Sequence, residues 1–399
     1  MTPELIRRLL HAKPGEERAV GLAFAYFFML LSAYSLLRPL REAMASSAVD
    51  SLFLFYVGTF AAMLLLTPLF GALVSRVRKP LLLPVTYGFF ASNLLVFYVL
   101  FKVAPDSSAL AAAFFVWLSA FNMFVVSVFW SFMADVFRDE EAKRLFGPIA
   151  AGGGTGAILG PLIMQVLVPR IGVDAVVFLA MLLLLGTLPC IRGLARWAER
   201  RHGRFVLPPD DPGARIGTRS RYLLGIVAIV ALGSIAAAFM YSELLRLVGA
   251  AYPDLESRAQ YFGRLDFFVN LTAWVFQGFV VGWLIRRFEL SGALVTMPIA
   301  ALASFLVLAA SPILVVLAAG QVLRRGGEYG IAKPSREVLF TVVDAETKYK
   351  AKNFIDTVLQ RGSDLVGIGL VTLAHAAGFG LAGYAWVGAA LMLPAIAVS

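Results

Sequence analysis

The sequence predicts an all-α polytopic membrane protein with twelve transmembrane helices in two six-helix repeats. Three observations predict it. Of the 399 residues, 60% are hydrophobic and only 15% charged, against about 25% charged in a soluble domain. Apolar runs of spanning length follow one another along most of the chain. Short motifs of the first half recur in the second at a nearly constant offset.

A hydrocarbon core of about 30 Å takes about 20 apolar residues to cross. Twelve stretches qualify, roughly 19–41, 52–74, 80–102, 109–136, 145–168, 172–193, 221–247, 263–285, 290–310, 312–332, 351–374 and 378–397. The tenth is interrupted by Arg324-Arg325-Gly326-Gly327. Residues 1–18 lack the apolar core and cleavage site of a signal peptide. They read instead as a short helix capped by Thr2, with Pro3 in its first turn and an apolar face suited to a membrane surface.

Basic residues set the orientation. Arg76, Arg78 and Lys79 follow span two; Arg138, Lys143 and Arg144 follow span four; Arg286 and Arg287 follow span eight; Lys348, Lys350 and Lys352 follow span ten. All fall on the side of the N-terminus. Both termini are therefore expected in the cytoplasm, with the bacterial inner membrane as the location. The net charge of +10 lies in these loops, so no nucleic-acid partner is expected. The lipid bilayer is the expected partner, and the chain is expected to be a monomer.

The loop 194–220 is rich in arginine and holds Pro208, Pro209 and Pro212. It is the expected linker between an N-terminal bundle, 1–193, and a C-terminal bundle, 221–399. The bundles repeat: Tyr34-Ser35 with Arg38 recurs as Tyr241-Ser242 with Arg246. Gly71, Leu73 and Arg76 recur as Gly282, Leu284 and Arg287, Ala142-Lys143 as Ala351-Lys352, and Gly153 and Gly160 as Gly362 and Gly369. Parallel six-span repeats are the architecture of major facilitator transporters, and the chain resembles that fold. In it, spans one, four, seven and ten line a central cavity.

Those spans carry most of the charge. A charge in hydrocarbon costs roughly 2.5–3.5 kcal/mol on insertion scales, so each must be paired or face water. Tyr34, Arg38, Arg41 and Glu42 share one helical face. They suit a cationic clamp on a carboxylate or phosphate, or else a pair snorkelling at the interface. Pro39 is a candidate end for that helix. Asp135 closes span four, and Glu243 and Arg246 close span seven. Arg324 lies about eleven residues into span ten, or roughly 17 Å at 1.5 Å per residue, near mid-membrane. Gly326, Gly327 and Gly330 would loosen the helix there, as in the broken helices that bind charged ligands. The alternative is a glycine packing surface with Arg324 and Arg325 paired to Glu328 or Glu243. In span eleven, Asp356, Gln360 and Asp364 stand four residues apart beside Arg361, as a lining wall or proton site, or as an internal salt-bridge network. The run Arg138–Arg144, which includes Glu141, is either an ordinary inside loop or a gate.

Other chemistries find no support. Gly152, Gly156 and Gly160 make a stripe for helix packing, with none of the Gly-Lys-Ser/Thr of a phosphate loop. Cys190 is the single cysteine, which leaves no internal disulfide framework. His11, His202 and His375 fit no metal spacing. No metal, cofactor or enzymatic activity is expected.

Four segments resemble the ATP:ADP antiporter family, the nucleotide transporters of plastids and obligate intracellular bacteria. RPLREAM (38–44) is similar to that family's R-D-L-K-D-T-L. FWSFMADVFRDEEAKRLFGPIAAGG (129–153) is similar to its F-W-G-F-A-N…EAKRFYPLFG. YSELLR (241–246) is similar to its V-E-x-x-W-K. SREVLFTVVDAETKYKAKNFIDTVLQRGSD (335–364) is similar to its K-E-x-x-Y-I-P…K-x-K-A-A-I-D-V-V-x-S-R-L-G-K. The resemblance implies roles for Arg41, which stands where the family has a lysine, and for Glu141, Glu243 and Arg361. Asp364 falls where the family has a functional lysine. That charge reversal implies a divergent branch.

The resulting expectation is a secondary transporter of an anionic solute, a nucleotide or phosphorylated metabolite, working by alternating access. Tyr34, Arg38, Arg41, Glu243, Arg246, Arg324, Arg325, Glu328 and Arg361 would bind substrate. Glu42, Asp135, Glu141, Asp356 and Asp364 would gate or carry protons. The alternatives are a proton-coupled carrier of a siderophore, peptide or sugar, and a non-transporting membrane scaffold or receptor.

Overall fold

The computed structural model describes residues 13–76, 79–104, 107–202, 221–339 and 355–398. Within these, the side chains of 70–76, 79–82, Asp139, Lys143, 202, 221–223, Asp356 and Thr357 lie outside the described residues. The described residues are helical almost throughout, with no strand among them. α1 is Glu17–Ser47, α2 Leu52–Arg76, α3 Lys79–Val103 and α4 Ser108–Val136. The helix Asp139–His202 is interrupted at Gly172, which separates α5 (139–171) from α6 (173–202). α7 is Arg221–Ala251. α8 begins at Leu255, passes through a π turn at Phe276–Val280 and ends before Glu289; α9 (290–310) follows. α10 joins Leu314–Gly327, a π turn at Glu328–Ala332, and Lys333–Leu339. α11 joins a π turn at Ile355–Leu359 to Gln360–Ala376, and α12 is Leu381–Val398.

Eight helices among the described residues are long and apolar enough to cross a membrane. Two of them are of double length, and the breaks inside them restore the expected spacing. Gly172 adopts φ 77° and ψ 168°, a conformation open to glycine because it lacks a Cβ. Glu289 reaches φ 61° and ψ −174°, which costs a non-glycine residue of order 1–3 kcal/mol. α10 and α11 are not among the eight because they are too polar, with Arg324, Arg325 and Glu328 in α10 and Arg361 and Asp364 in α11.

Sequence also explains the starts of α4 and α8. Ser107 caps α4, its side chain accepting from the Leu110 N–H. Asp254 caps α8 by accepting from the Ser257 N–H at 2.7 Å. Such caps satisfy donors that have no partner inside the helix. Pro39 does not end α1, which continues to Ser47. Leu40, Ala43 and Met44 are buried on its next turns, and that packing outweighs the hydrogen bond the proline loses.

By contacts the chain forms two compact units. One is Met1–Glu42, Leu65–Asp211 and Phe262–Phe267; the other is Ala43–Leu64, Pro212–Tyr261 and Phe268–Ser399. Within the first, α5 lies against α1 along its glycine stripe. A Cβ on Gly152 would stand 2.5 Å from the Phe24 carbonyl oxygen, one on Gly156 2.5 Å from that of Phe28, and one on Gly160 2.7 Å from Ser35 Cβ. The stripe therefore packs helices, as its spacing predicts. Phe27 stacks on Phe129 at 4.0 Å between ring centres. Tyr26 and Tyr87 share a buried hydroxyl–hydroxyl hydrogen bond.

In the second unit the corresponding contact is made by a different glycine. Gly367 seats α11 on α7, where a Cβ would come 2.7 Å from that of Ala238. Gly362 and Gly369, the sequence counterparts of Gly153 and Gly160, face Phe60 and Phe53 of α2 instead. Phe239, Val371 and Tyr384 join α7, α11 and α12 in one core cluster. Leu54, Leu65, Val103, Phe279, Leu373 and Trp386 project outward, each more than half exposed. So much apolar surface is unusual in water and suits hydrocarbon. The chain is an integral membrane protein.

Candidate functional site

In the first unit, α1 presents Arg38, Arg41 and Glu42 on one face, as their spacing requires. The Glu42 carboxylate is almost fully buried and lies 2.5 Å from Arg41 Nη2 and 3.9 Å from Arg38 Nε. Arg41 also donates to Ser119 Oγ on α4 at 3.3 Å and lies over the Phe115 ring at 4.7 Å. A second carboxylate comes from α8: Asp266, 2% exposed, stands 3.6 Å from Arg38 Nε. Two guanidinium groups thus meet two carboxylates inside the bundle. Such charges are compensated rather than snorkelling. Tyr34 and Asp135 are part-buried on α1 and α4.

The second unit holds the α10 and α11 charges. α10 does not unwind at Gly326-Gly327. It runs through both glycines into the π turn at Glu328–Ala332. The glycines are where α10 meets its neighbours: a Cβ on Gly326 would come 2.7 Å from Thr272 Cγ2, one on Gly327 2.1 Å from Met297 Cε, and one on Gly330 2.6 Å from Phe276 Cβ. Close packing explains them better than flexibility. The π turn of α8 starts at Phe276, so the two π turns lie against each other. Such bulges recur at functional sites.

Arg324 donates to Gln321 Oε1 from Nε at 3.1 Å and from Nη2 at 2.8 Å. The carboxylates lean elsewhere. Glu328 accepts from Arg336 Nη1 at 3.3 Å, and Asp364 lies 3.7 Å from Arg361 Nη1 and is hydrogen-bonded to Ser234 of α7. Among the described residues no carboxylate stands within ion-pair distance of Arg324. Arg325 is buried at 8% exposure. The side chain of Asp356 lies outside the described residues. Its place in the π turn at Ile355–Leu359 inserts a residue into the helical register, so the simple four-residue face of Asp356, Gln360 and Asp364 is not kept.

At the end of α7, Glu243 lies 3.6 Å from Arg246 Nε, and Asp50 lies 3.7 Å from Arg246 Nη1. Arg246 also stands 3.1 Å from His375 Nε2 on α11. Glu243 thus stands beside Arg246, and Glu328 beside Arg336.

Glu141 belongs to a fourth group. Its carboxylate caps α5 by accepting from the Arg138 N–H at 3.1 Å and lies 3.5 Å from Arg201 of α6. Glu16, fully buried before α1, accepts from Arg144 at 3.1–3.3 Å and from Arg201 at 3.4 Å. Trp197 donates to the Gly15 carbonyl at 2.9 Å. Burial pushes the Glu16 carboxyl up, but hydrogen bonds from Arg144 and the Lys13 N–H, with the charges of Arg144 and Arg201, hold it below its usual 4.5. This network ties α1, α5 and α6 within one unit.

Asp266, Gln321, Ser119, Ser234, Asp50 and His375 were not singled out by sequence. Only Asp266 carried a usable signal, a carboxylate inside an apolar stretch. The others are neutral or solitary, and apart from Gln321, which stands one turn from Arg324, their roles come from partners remote in sequence.

No family model matches the chain. It is 24% identical over 313 residues to "ADP,ATP carrier protein 1" of Chlamydia muridarum, covering 66% of this chain and 59% of that protein. The chain spans about three-fifths of the length of the curated relatives it matches. Among solved structures, a bacterial homologue of the iron transporter ferroportin in the inward-facing state gives a TM-score of 0.69 at 13% identity, covering 96% of this chain and 97% of that one. The human organic anion transporter MFSD10 (TETRAN) gives 0.57 at 18% identity, covering 97% and 100%. The class follows from these likenesses: this is a helical membrane protein with the fold of the major facilitator transporters. The curated proteins it resembles at this low identity are ADP,ATP carriers, and the proteins it matches are carriers and transporters, not enzymes.

Proposed function

We propose that the chain is a secondary transporter of an anionic solute, a nucleotide or phosphorylated metabolite, and that it works by alternating access in a bacterial inner membrane with both termini cytoplasmic. The observation that carries this reading is Arg324. A guanidinium inside a membrane bundle bears a heavy desolvation cost, yet here it is held by a neutral amide while the nearby carboxylates bind other arginines. An arginine kept in place but left with its charge is suited to a phosphate or carboxylate ligand. The similarity to ADP,ATP carriers supports a nucleotide as that ligand.

In this reading Arg38, Arg41, Arg246, Arg324 and Arg325 hold the anion. Tyr34 and Arg361 assist, and Glu243, Glu328 and Asp364 pair with arginines or carry a proton. Glu42, Asp135, Glu141 and Asp356 act in gating. The two six-helix repeats, 1–193 and 221–399, rock about the site as a monomer. The test is uptake of radiolabelled ATP into proteoliposomes preloaded with ADP, against empty vesicles and an Arg324→Ala control. Uptake that needs both internal ADP and Arg324 supports nucleotide antiport. No uptake by folded protein removes the nucleotide, and uptake driven by an acid pulse without counter-substrate favours a proton-coupled carrier.

A further inference from the structure

A cluster of titratable side chains forms where α7 and α11 end and α2 begins. Glu243 and Arg246 come from α7, His375 from α11, and Asp50 from the 3-10 turn Val49–Ser51 before α2. All belong to the second compact unit. Glu243 and Asp50 stand 3.6 and 3.7 Å from Arg246, close enough for charge attraction but beyond a normal hydrogen bond. Among the described residues, Arg246 makes its hydrogen bond to His375 Nε2, at 3.1 Å. Arginine only donates, so Nε2 accepts, and the imidazole is neutral with its proton on Nδ1. His375 and Asp50 are exposed to water. α12 adds Tyr384, whose ring packs with Phe239 and Val371, one turn before Glu243 and His375. Glu243 Oε1, Arg246 Nε and the Tyr384 hydroxyl are buried without a hydrogen-bond partner among the described residues. The cluster therefore has polar capacity that packing leaves unused. With His375 neutral, however, one cation faces two carboxylates, which repel an approaching anion. A proton on Nε2 removes both obstacles. It takes away the acceptor that holds Arg246 Nη1, and it adds a second positive charge.

We propose that His375 is the proton-binding residue of an oxyanion site at Arg246, so that a phosphate or carboxylate group and a proton bind there together. This rests on the anion-transport reading, to which it adds a water-exposed proton carrier. The proton passes from water to His375 Nε2, and the Nη1 hydrogen bond passes from the imidazole to an anion oxygen. Histidine changes charge between about pH 5 and 8, so the site fills more readily as the pH falls through that range. Glu243 and Asp50 keep Arg246 in place while the site is empty.

Calorimetric titration of the full chain with ATP and with inorganic phosphate, between about pH 8 and pH 5, reads the coupling. The parent's affinity is expected to rise as the pH falls, by up to about tenfold per pH unit, the limit for uptake of one proton. His375→Gln still offers Arg246 an acceptor but does not titrate. Its profile is expected to be much flatter, since only the ligand's own ionisation remains. His375→Lys, a lasting cation, is expected to bind in alkali about as tightly as the parent binds in acid. A His375→Gln profile that matches the parent's overturns the site and leaves the anion reading standing. Failure of both ligands to bind folded parent at any pH sinks the anion reading and this site with it. Nitrogen NMR of histidine-labelled protein checks the contact directly, with the His375 signals assigned by their loss in His375→Gln. A bare Nε2 in alkali supports it, and a proton on Nε2 there overturns it. Size-exclusion profiles identify any variant that has not folded, and His375→Asn then carries the comparison.

Discussion

Gln321 accepts two hydrogen bonds from Arg324, three residues further along α10, while its own amide nitrogen is buried without a partner. Gln321 is completely buried. A buried, unsatisfied donor costs about 1–3 kcal/mol, which a leucine at the same place would avoid. The amide is thus poorly explained by packing and well explained by its hold on Arg324. Gln321→Leu is expected to leave thermal stability unchanged or slightly raised and to weaken anion binding roughly tenfold, the equivalent of about 1.4 kcal/mol. Calorimetric titration with ATP, alongside melting curves, reads both. A stability loss with unaltered binding would return Gln321 to a structural role.

Arg324→Ala should abolish binding without unfolding the protein. The α10 backbone contacts through Gly326 and Gly327 do not involve that side chain. Retained binding in a folded Arg324→Ala protein would remove it from the site.

Gly156 and Gly154 are two residues apart on α5 but face different surroundings. A Cβ on Gly156 would strike the Phe28 carbonyl oxygen at 2.5 Å, whereas nothing lies within 4 Å of one on Gly154. Backbone cannot rotate away as a side chain can. Gly156→Ala is expected to cost about 1–3 kcal/mol, seen as a lower melting temperature in detergent. Gly154→Ala should be silent. Equal effects would show that α5 does not sit on α1 through this stripe.

The Glu16 carboxyl is held below its usual value by Arg144, Lys13 and Arg201 against the opposing effect of burial. Its folded pKa is lower than its unfolded one. The stabilisation is therefore present above the unfolded value and disappears as pH falls through the folded one. Glu16→Gln should lower the melting temperature at pH 7, and the two proteins should converge in acid, once the pH has fallen through the folded value of Glu16, which lies below 4.5. A difference that persists unchanged into acid would mean the ion pairs with Arg144 and Arg201 contribute nothing.

Asp254 caps α8 through both carboxylate oxygens, each 2.7 Å from Ser257, one to its N–H and one to its hydroxyl. Asp254→Ala is expected to cost about 0.5–2 kcal/mol and Asp254→Asn much less, since asparagine is also a good cap. Hydrogen exchange in the 255–260 amides would locate the loss. Unchanged protection there would count against the cap.

Local chemistry in the sequence determined a good deal. Twelve spans follow from hydropathy and from the length of an α-helix relative to a bilayer. The packing stripe Gly152–Gly156–Gly160 and the shared face of Arg38, Arg41 and Glu42 follow from short-range periodicity. Tertiary structure decided the partners. Asp266 meets Arg38 across more than two hundred residues of chain, His375 and Asp50 meet Arg246, and Gln321 rather than a carboxylate holds Arg324. It also decided that Gly367 takes the packing role that Gly362 and Gly369 resemble by sequence alone, and that α1 continues beyond Pro39. The physical reason is one of range. Helical periodicity and hydropathy act over one or two turns and can be read from neighbouring residues. Charge pairing and close packing depend on which helices meet, and nothing local to Arg38 encodes its contact with Asp266, nor anything local to Arg246 its contacts with Asp50 and His375.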